Sequence, residues 1–106
     1  MLKGKALQDF EIFTCKKYGF SEEEYEDFLK QPPEFREGVL RGFFESKGYE
    51  LNINPFWENN YVVGYEYSLI IAREYLETCD EIFKDYSTAF AHAIDKACEV
   101  YNGGEG

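Results

Sequence analysis

The chain has 106 residues, 44% of them hydrophobic and 19% aromatic, and carries a formal net charge of −10. That is enough apolar material for one domain, able to bury about two-thirds of its unfolded surface without disulfide staples, and it excludes disorder over most of the length. A field of that sign repels phosphate backbones and anionic membranes, so direct nucleic-acid binding and membrane association are not expected.

The charge is also uneven. Residues 1–48 hold eight Lys/Arg against ten Asp/Glu, a net of −2, whereas residues 49–106 hold three against eleven, a net of −8. A protein partner with a basic surface is the one that such a field favours. Cys15, Cys79 and Cys98 make an odd number of cysteines with no C-x-x-C pair, which points to free thiols in a reducing cytosol, serving as small core residues. The first ten residues lack the apolar run of a signal peptide, and no stretch is apolar for long enough to span a bilayer. A cytoplasmic location is the expectation.

Residues 4–18 are predicted to form a helix with Ala6, Leu7, Phe10 and Phe13 on one face and Ile12 and Cys15 off that stripe. Tyr18-Gly19 ends it. Ser21-Glu22-Glu23-Glu24 is a capping box, with Phe20 and Tyr25 placed as its hydrophobic staple; the acids suit the positive end of a helix dipole rather than a cation. Gln31-Pro32-Pro33 breaks that short helix and launches a third, which runs to about Lys47 with Phe35, Val39, Leu40, Phe43 and Phe44 as apolar positions. Gly48 fits a left-handed stop, with Tyr49 in reach of Phe44. Gly38 and Gly42 inside this helix either allow close approach of another element or are simply tolerated.

From Tyr49 the period changes to two. Tyr49, Leu51 and Ile53 alternate with polar residues in a half-buried strand that Pro55 is expected to end. Phe56 to Asn60 form a connection with a turn-prone Asn pair. A second strand runs from Val62 to about Arg73, with Tyr65, Tyr67, Leu69 and Ile71 on one face. Residues 72–86 have two readings, a fourth helix, or a turn near Glu77 to Asp80 followed by a strand from Glu81 to Tyr86. The strand is preferred because two strands alone make a marginal sheet. Ser87 to Tyr101 is the last helix, with Phe90, Ile94, Ala97, Cys98 and Tyr101 on one face, Ser87 or Thr88 as its cap and Asn102-Gly103-Gly104 as its stop. The predicted fold class is α+β over residues 1–102: N-terminal helices, a small antiparallel sheet of two or three strands, and the C-terminal helix on one sheet face. Residues 103–106 are expected to be a flexible glycine-rich tail.

Three groups of residues carry a resemblance: Gly4-Lys5-Ala6-Leu7 with Asp9-Phe10; Gly38-Val39 with Phe43-Phe44-Glu45-Ser46 and Gly48; and Ala93-Ile94-Asp95-Lys96-Ala97 with Glu99-Val100-Tyr101-Asn102. Together they resemble a family of small uncharacterised proteins from phages and prophages of gut Bacteroidales, including crAss-like phages, whose ending commonly has the form A-I-x-K-A-x-E-I-Y-N. The chain lacks the Thr-Arg-x-Glu-Ala run often seen before that helix. The resemblance implies a phage or prophage accessory protein and brings no activity, cofactor or site residue with it.

The residues themselves offer no catalytic, cofactor or metal site. His92 is the only histidine and shares the polar face of the last helix with Asp95 and Glu99, an ordinary surface arrangement. A zinc site from Cys79, Cys98 and His92 fails because Cys98 and His92 sit roughly 120° apart on one helix at 100° per residue. No glycine-rich loop opens a helix, as phosphate binding needs. The helix–three strands–helix layout of double-stranded RNA-binding domains is matched in order, but Asp80, Glu81 and Asp85 stand against Lys84 where such domains are basic. Phe56 and Trp57 with Tyr61 are the candidate interaction surface, because aromatics on a connection are what protein interfaces favour. The alternative is that Trp57 folds back over the sheet and caps the core. Three function classes follow: a non-catalytic protein acting by protein–protein contact, an acidic mimic of nucleic acid that blocks a host DNA- or RNA-binding protein, or a small enzyme built from carboxylates and tyrosines.

Overall fold

The computed structural model describes residues 2–72, 75–79 and 81–103. Helices α1 (Gly4–Tyr18), α2 (Glu22–Leu29) and α3 (Pro33–Ser46) come first, then strands β1 (Tyr49–Glu58), β2 (Tyr61–Ile71) and β3 (Tyr75–Thr78), then helix α4 (Tyr86–Tyr101). The sheet is antiparallel in the order β1-β2-β3, and α4 lies against β2 and β1. The fold is α+β, as the periodicities require.

Local chemistry explains most of the boundaries. Gly19 closes α1 in the left-handed conformation at φ 67°, its N–H returning to the Cys15 carbonyl, a conformation that costs glycine little. The Ser21–Glu24 capping box forms in both directions. Phe20 packs on Tyr18 and Phe28. Gly48 takes φ 87°, and the Tyr49 ring meets Phe44 at 5.7 Å across that turn. Gly38 faces open space, while Gly42 sits in ordinary contact distance of Phe13 and Lys17 on α1. The first of the paired glycines is therefore tolerated; the second gives the α1 side chains room.

The core lies between the helices and one sheet face. Phe10, Leu40, Phe43 and Phe44 from α1 and α3 join Leu51, Leu69, Phe90 and Ile94 from the sheet and α4, all buried. Burying each large side chain stabilises the domain by roughly 1.5–3 kcal/mol. Phe43 takes edge-on contacts with Phe10 at 5.4 Å and with Phe44 at 5.0 Å, the geometry aromatic quadrupoles prefer. Cross-strand partners share a face, so Leu51↔Leu69 and Ile53↔Tyr67 face inward. Glu50↔Ile70, Asn52↔Ser68 and Asn54↔Glu66 form the far face.

Several expectations need correction. Pro55 does not end the first strand: β1 continues to Glu58 with Pro55 opposite Tyr65, which an edge strand permits because one of its sides has no ladder to lose. The second strand begins at Tyr61 and stops at Ile71; Arg73 lies outside the described residues. The third strand is Tyr75–Thr78, not Glu81–Tyr86, and among the described residues no helix replaces it. The reversal comes at Ala72, which adopts φ 54° and donates its N–H to the Gly48 carbonyl at 2.7 Å. Only Phe83 of the expected strand pairs, in a single bridge to Tyr65. The cap of α4 is Asp85, which accepts from the Thr88 N–H at 2.8 Å, rather than Ser87 or Thr88. Hydrogen bonds donated to it by Thr88 first, and then by the Ser87 hydroxyl, hold its carboxyl below the ordinary carboxylate value. Cys98 is a core residue, but Cys15 is exposed and Cys79 half-buried. Phe35, Tyr75 and Leu76 have side chains outside the described ones, as do Asp80 and residues 104–106 entirely.

Candidate functional site

The β1–β2 hairpin is longer than the core beneath it. Asn59 and Asn60 form its two-residue tip with φ 50° and 69°, the paired positive angles of a type I′ turn, whose twist matches that of the strands. Phe56 pairs with Gly64 but Trp57 pairs with Val62, leaving Val63 as the extra residue of a bulge. Every residue from Asn54 to Val63 is exposed.

A strap fixes the base of this arm. Tyr65 and Phe83 exchange backbone hydrogen bonds of 2.8 and 2.7 Å. A Cβ on Gly64 would lie 2.3 Å from Ile82 Cγ2 and 2.7 Å from the Phe83 carbonyl oxygen, so only glycine lets the strap pass this close. Cys79 fills the gap between the strap and β3, its Sγ accepting from the Tyr67 N–H and donating to the Glu81 carbonyl, each at 3.2 Å. Tyr65 makes an edge contact with Tyr86 at 6.0 Å. The Tyr86 hydroxyl in turn accepts from Arg41 Nη2 at 2.8 Å. Arg41 also donates to the Leu51 carbonyl, pairs with Glu37 and lies 5.3 Å from the Phe90 ring. One guanidinium thus ties α3, β1 and α4 together below the arm.

Beyond the strap the arm is apolar and acidic. Trp57 is 60% exposed and Tyr61 75%, with Phe56, Val62 and Val63 also exposed. Trp57 therefore does not cap the core. Residues 49–71 contain Glu50, Glu58 and Glu66 and no lysine or arginine. The three candidate residues, Phe56, Trp57 and Tyr61, thus sit near one hairpin tip. Sequence reasoning passed over Val62, Val63, Gly64 and Ile82. A lone glycine inside a strand pattern marks a bulge or close approach, and that signal was available for Gly64.

The other candidates fall elsewhere. His92 is exposed and stacks on Phe83 at 4.5 Å. It shares a shallow depression of about 260 Å3 with Cys79, Glu81 and Lys96. Cys98 is buried, near the Lys3 carbonyl. Among the described residues no group of three or more His, Cys, Asp or Glu converges as metal ligands, and no helix is long and apolar enough to cross a membrane.

Comparison of this chain with family models, with curated proteins and with solved structures finds no match.

Proposed function

We propose that the chain is a non-catalytic accessory protein, of phage or prophage origin as the resemblance implies, that binds a protein partner through its projecting hairpin. The observation that carries this reading is the exposure of Trp57 and Tyr61, with Phe56, Val62 and Val63, on an arm held at its base by Gly64 and the Phe83 strap. Large rigid rings give contact area at small entropic cost, and Trp and Tyr are enriched among the residues that dominate protein interfaces. Glu58 stands opposite Tyr61 and Glu66 opposite Asn54 on the same arm, so the partner presents an apolar recess with basic residues beside it. A mimic of nucleic acid would lead with carboxylates; this tip leads with rings.

The test is a Phe56→Ala/Trp57→Ala double variant. It keeps the melting temperature of the parent, because neither ring belongs to the core, and weakens binding to a protein captured from host lysate by at least about tenfold. Unaltered capture, or a steep loss of stability, overturns the reading. Binding that survives both substitutions yet collapses with added salt favours the nucleic-acid mimic instead.

A further inference from the structure

An open surface depression of about 370 Å3 lies where the C-terminal ends of α1 and α3 meet, lined by Asp9, Ile12, Phe13, Lys16, Lys17 and Lys47. It lies beside the start of β1, a full strand length from the hairpin tip, roughly 30 Å at 3.3 Å per residue. In a chain with 21 Asp and Glu against 11 Lys and Arg, cations are expected to find carboxylates. Among the described residues none pairs with Lys16, Lys17 or Lys47. The one acid in the wall, Asp9, is engaged by the Tyr101 hydroxyl, which donates to its Oδ2 at 2.5 Å.

We infer that this depression is a binding site for a small phosphorylated molecule with a flat apolar body. The charge fits such a ligand. Three ammonium groups against one carboxylate leave two positive charges, of which the two helix C-termini, at about half a negative charge each, cancel about one, so an excess of about one positive charge faces a phosphate group. Lysines bind phosphate as point charges, without the fixed geometry of an arginine fork. The floor fits the rest of the ligand. Ile12 is 53% exposed beside Phe13, and Lys17 Nζ stands 5.4 Å from the Phe13 ring centroid and 5.6 Å from that of Tyr18, so an apolar ring and a cation are offered side by side. The distant carboxylates of the second half act weakly here, since charges beyond about 8 Å are screened at physiological salt. They do disfavour a long polyanion, whose further phosphates leave the depression for an acidic surface.

The site is independent of the hairpin and does not rest on the function proposed above. It is tested on the full chain by titration with adenosine diphosphate, pyrophosphate and adenosine, following amide and methyl resonances. Adenosine diphosphate is expected to saturate below about 1 mM, shifting resonances of Ile12, Phe13 and Lys47. Pyrophosphate is expected to bind more weakly at the same residues, and adenosine at least tenfold more weakly. Lys16→Gln/Lys47→Gln should cut the affinity at least tenfold without moving the melting temperature. Ile12→Ser should weaken adenosine diphosphate while leaving pyrophosphate unchanged. The inference is overturned if no probe saturates, if the shifts map elsewhere, or if the glutamine variant binds as well as the parent. A single-stranded oligonucleotide presents the same phosphates as a polymer; tighter binding by it than by adenosine diphosphate also overturns the assignment to a small molecule.

Discussion

Asn102 is placed to do more than stop a helix. Helix α1 has no capping side chain of its own at Lys3. Asn102 supplies one from the other end of the chain, its Oδ1 accepting from the Ala6 N–H at 2.9 Å and its Nδ2 donating to the Lys3 carbonyl at 2.7 Å. Gly4 leaves the room, since a Cβ there would lie 3.1 Å from Asn102 Nδ2 at a backbone φ of +63°. The neighbouring Tyr101 donates to Asp9. The opening and closing runs of the chain thus meet as a clasp, so those residues have a structural reason to occur together. Asn102→Ala should destabilise the domain by about 1–2 kcal/mol, the usual cost of a lost cap and an unsatisfied partner. Denaturant unfolding checks it, and an unchanged midpoint would show that the clasp contributes nothing. No local pattern reveals this pairing, because its partners are separated by almost the whole sequence.

At the scale of elements, legibility followed where the instructions are local. Helix α2 was plain because Ser21 and Glu24 encode its start within four residues, and the Asn59-Asn60 turn because both residues tolerate positive φ. Helix α4 was legible from its stripe of Phe90, Ile94, Ala97 and Cys98, all buried. The third strand was misplaced for an equally physical reason. Its turn begins at Ala72, a residue that seldom takes φ 54°, so neither glycine nor asparagine marks the reversal. Phe83 then pairs with Tyr65 through tertiary contact alone. Of the candidate site, Phe56, Trp57 and Tyr61 were readable as aromatics near a turn. The strap that raises them clear of the core was not. Gly64→Ala tests the strap, because its methyl must displace the Phe83 carbonyl. The variant should lose stability by about 1–3 kcal/mol, the range for overpacking, and expose the amides of Tyr65 and Phe83 to hydrogen exchange. Full protection of both amides in the variant would contradict this account.

The whole molecule measures 48 × 28 × 21 Å, elongated as a small core with an arm should be. Its response to alkali follows from two tyrosines. Burial first, and then nearby acids, push Tyr25 and Tyr101 from 10.0 up to about 12. Both groups are neutral in the folded state until that pH, whereas the unfolded chain begins to ionise near 10. Their contribution to stability is therefore complete below pH 10 and is lost as the pH rises through 12. Tyrosinate absorbance and far-ultraviolet circular dichroism, followed together, should show the last tyrosines ionising as helix is lost. Complete ionisation of all nine tyrosines with the helices intact would contradict it.

The arm carries its rings into solvent, and Trp57, the sole tryptophan of the chain, reports on it directly. Fluorescence of the folded protein with a collisional quencher is the measurement. The expected result is solvent-exposed emission that is quenched nearly as efficiently before denaturation as after it. A blue-shifted, protected emission that becomes quenchable only on unfolding would place the indole in a core and refute the projecting arm.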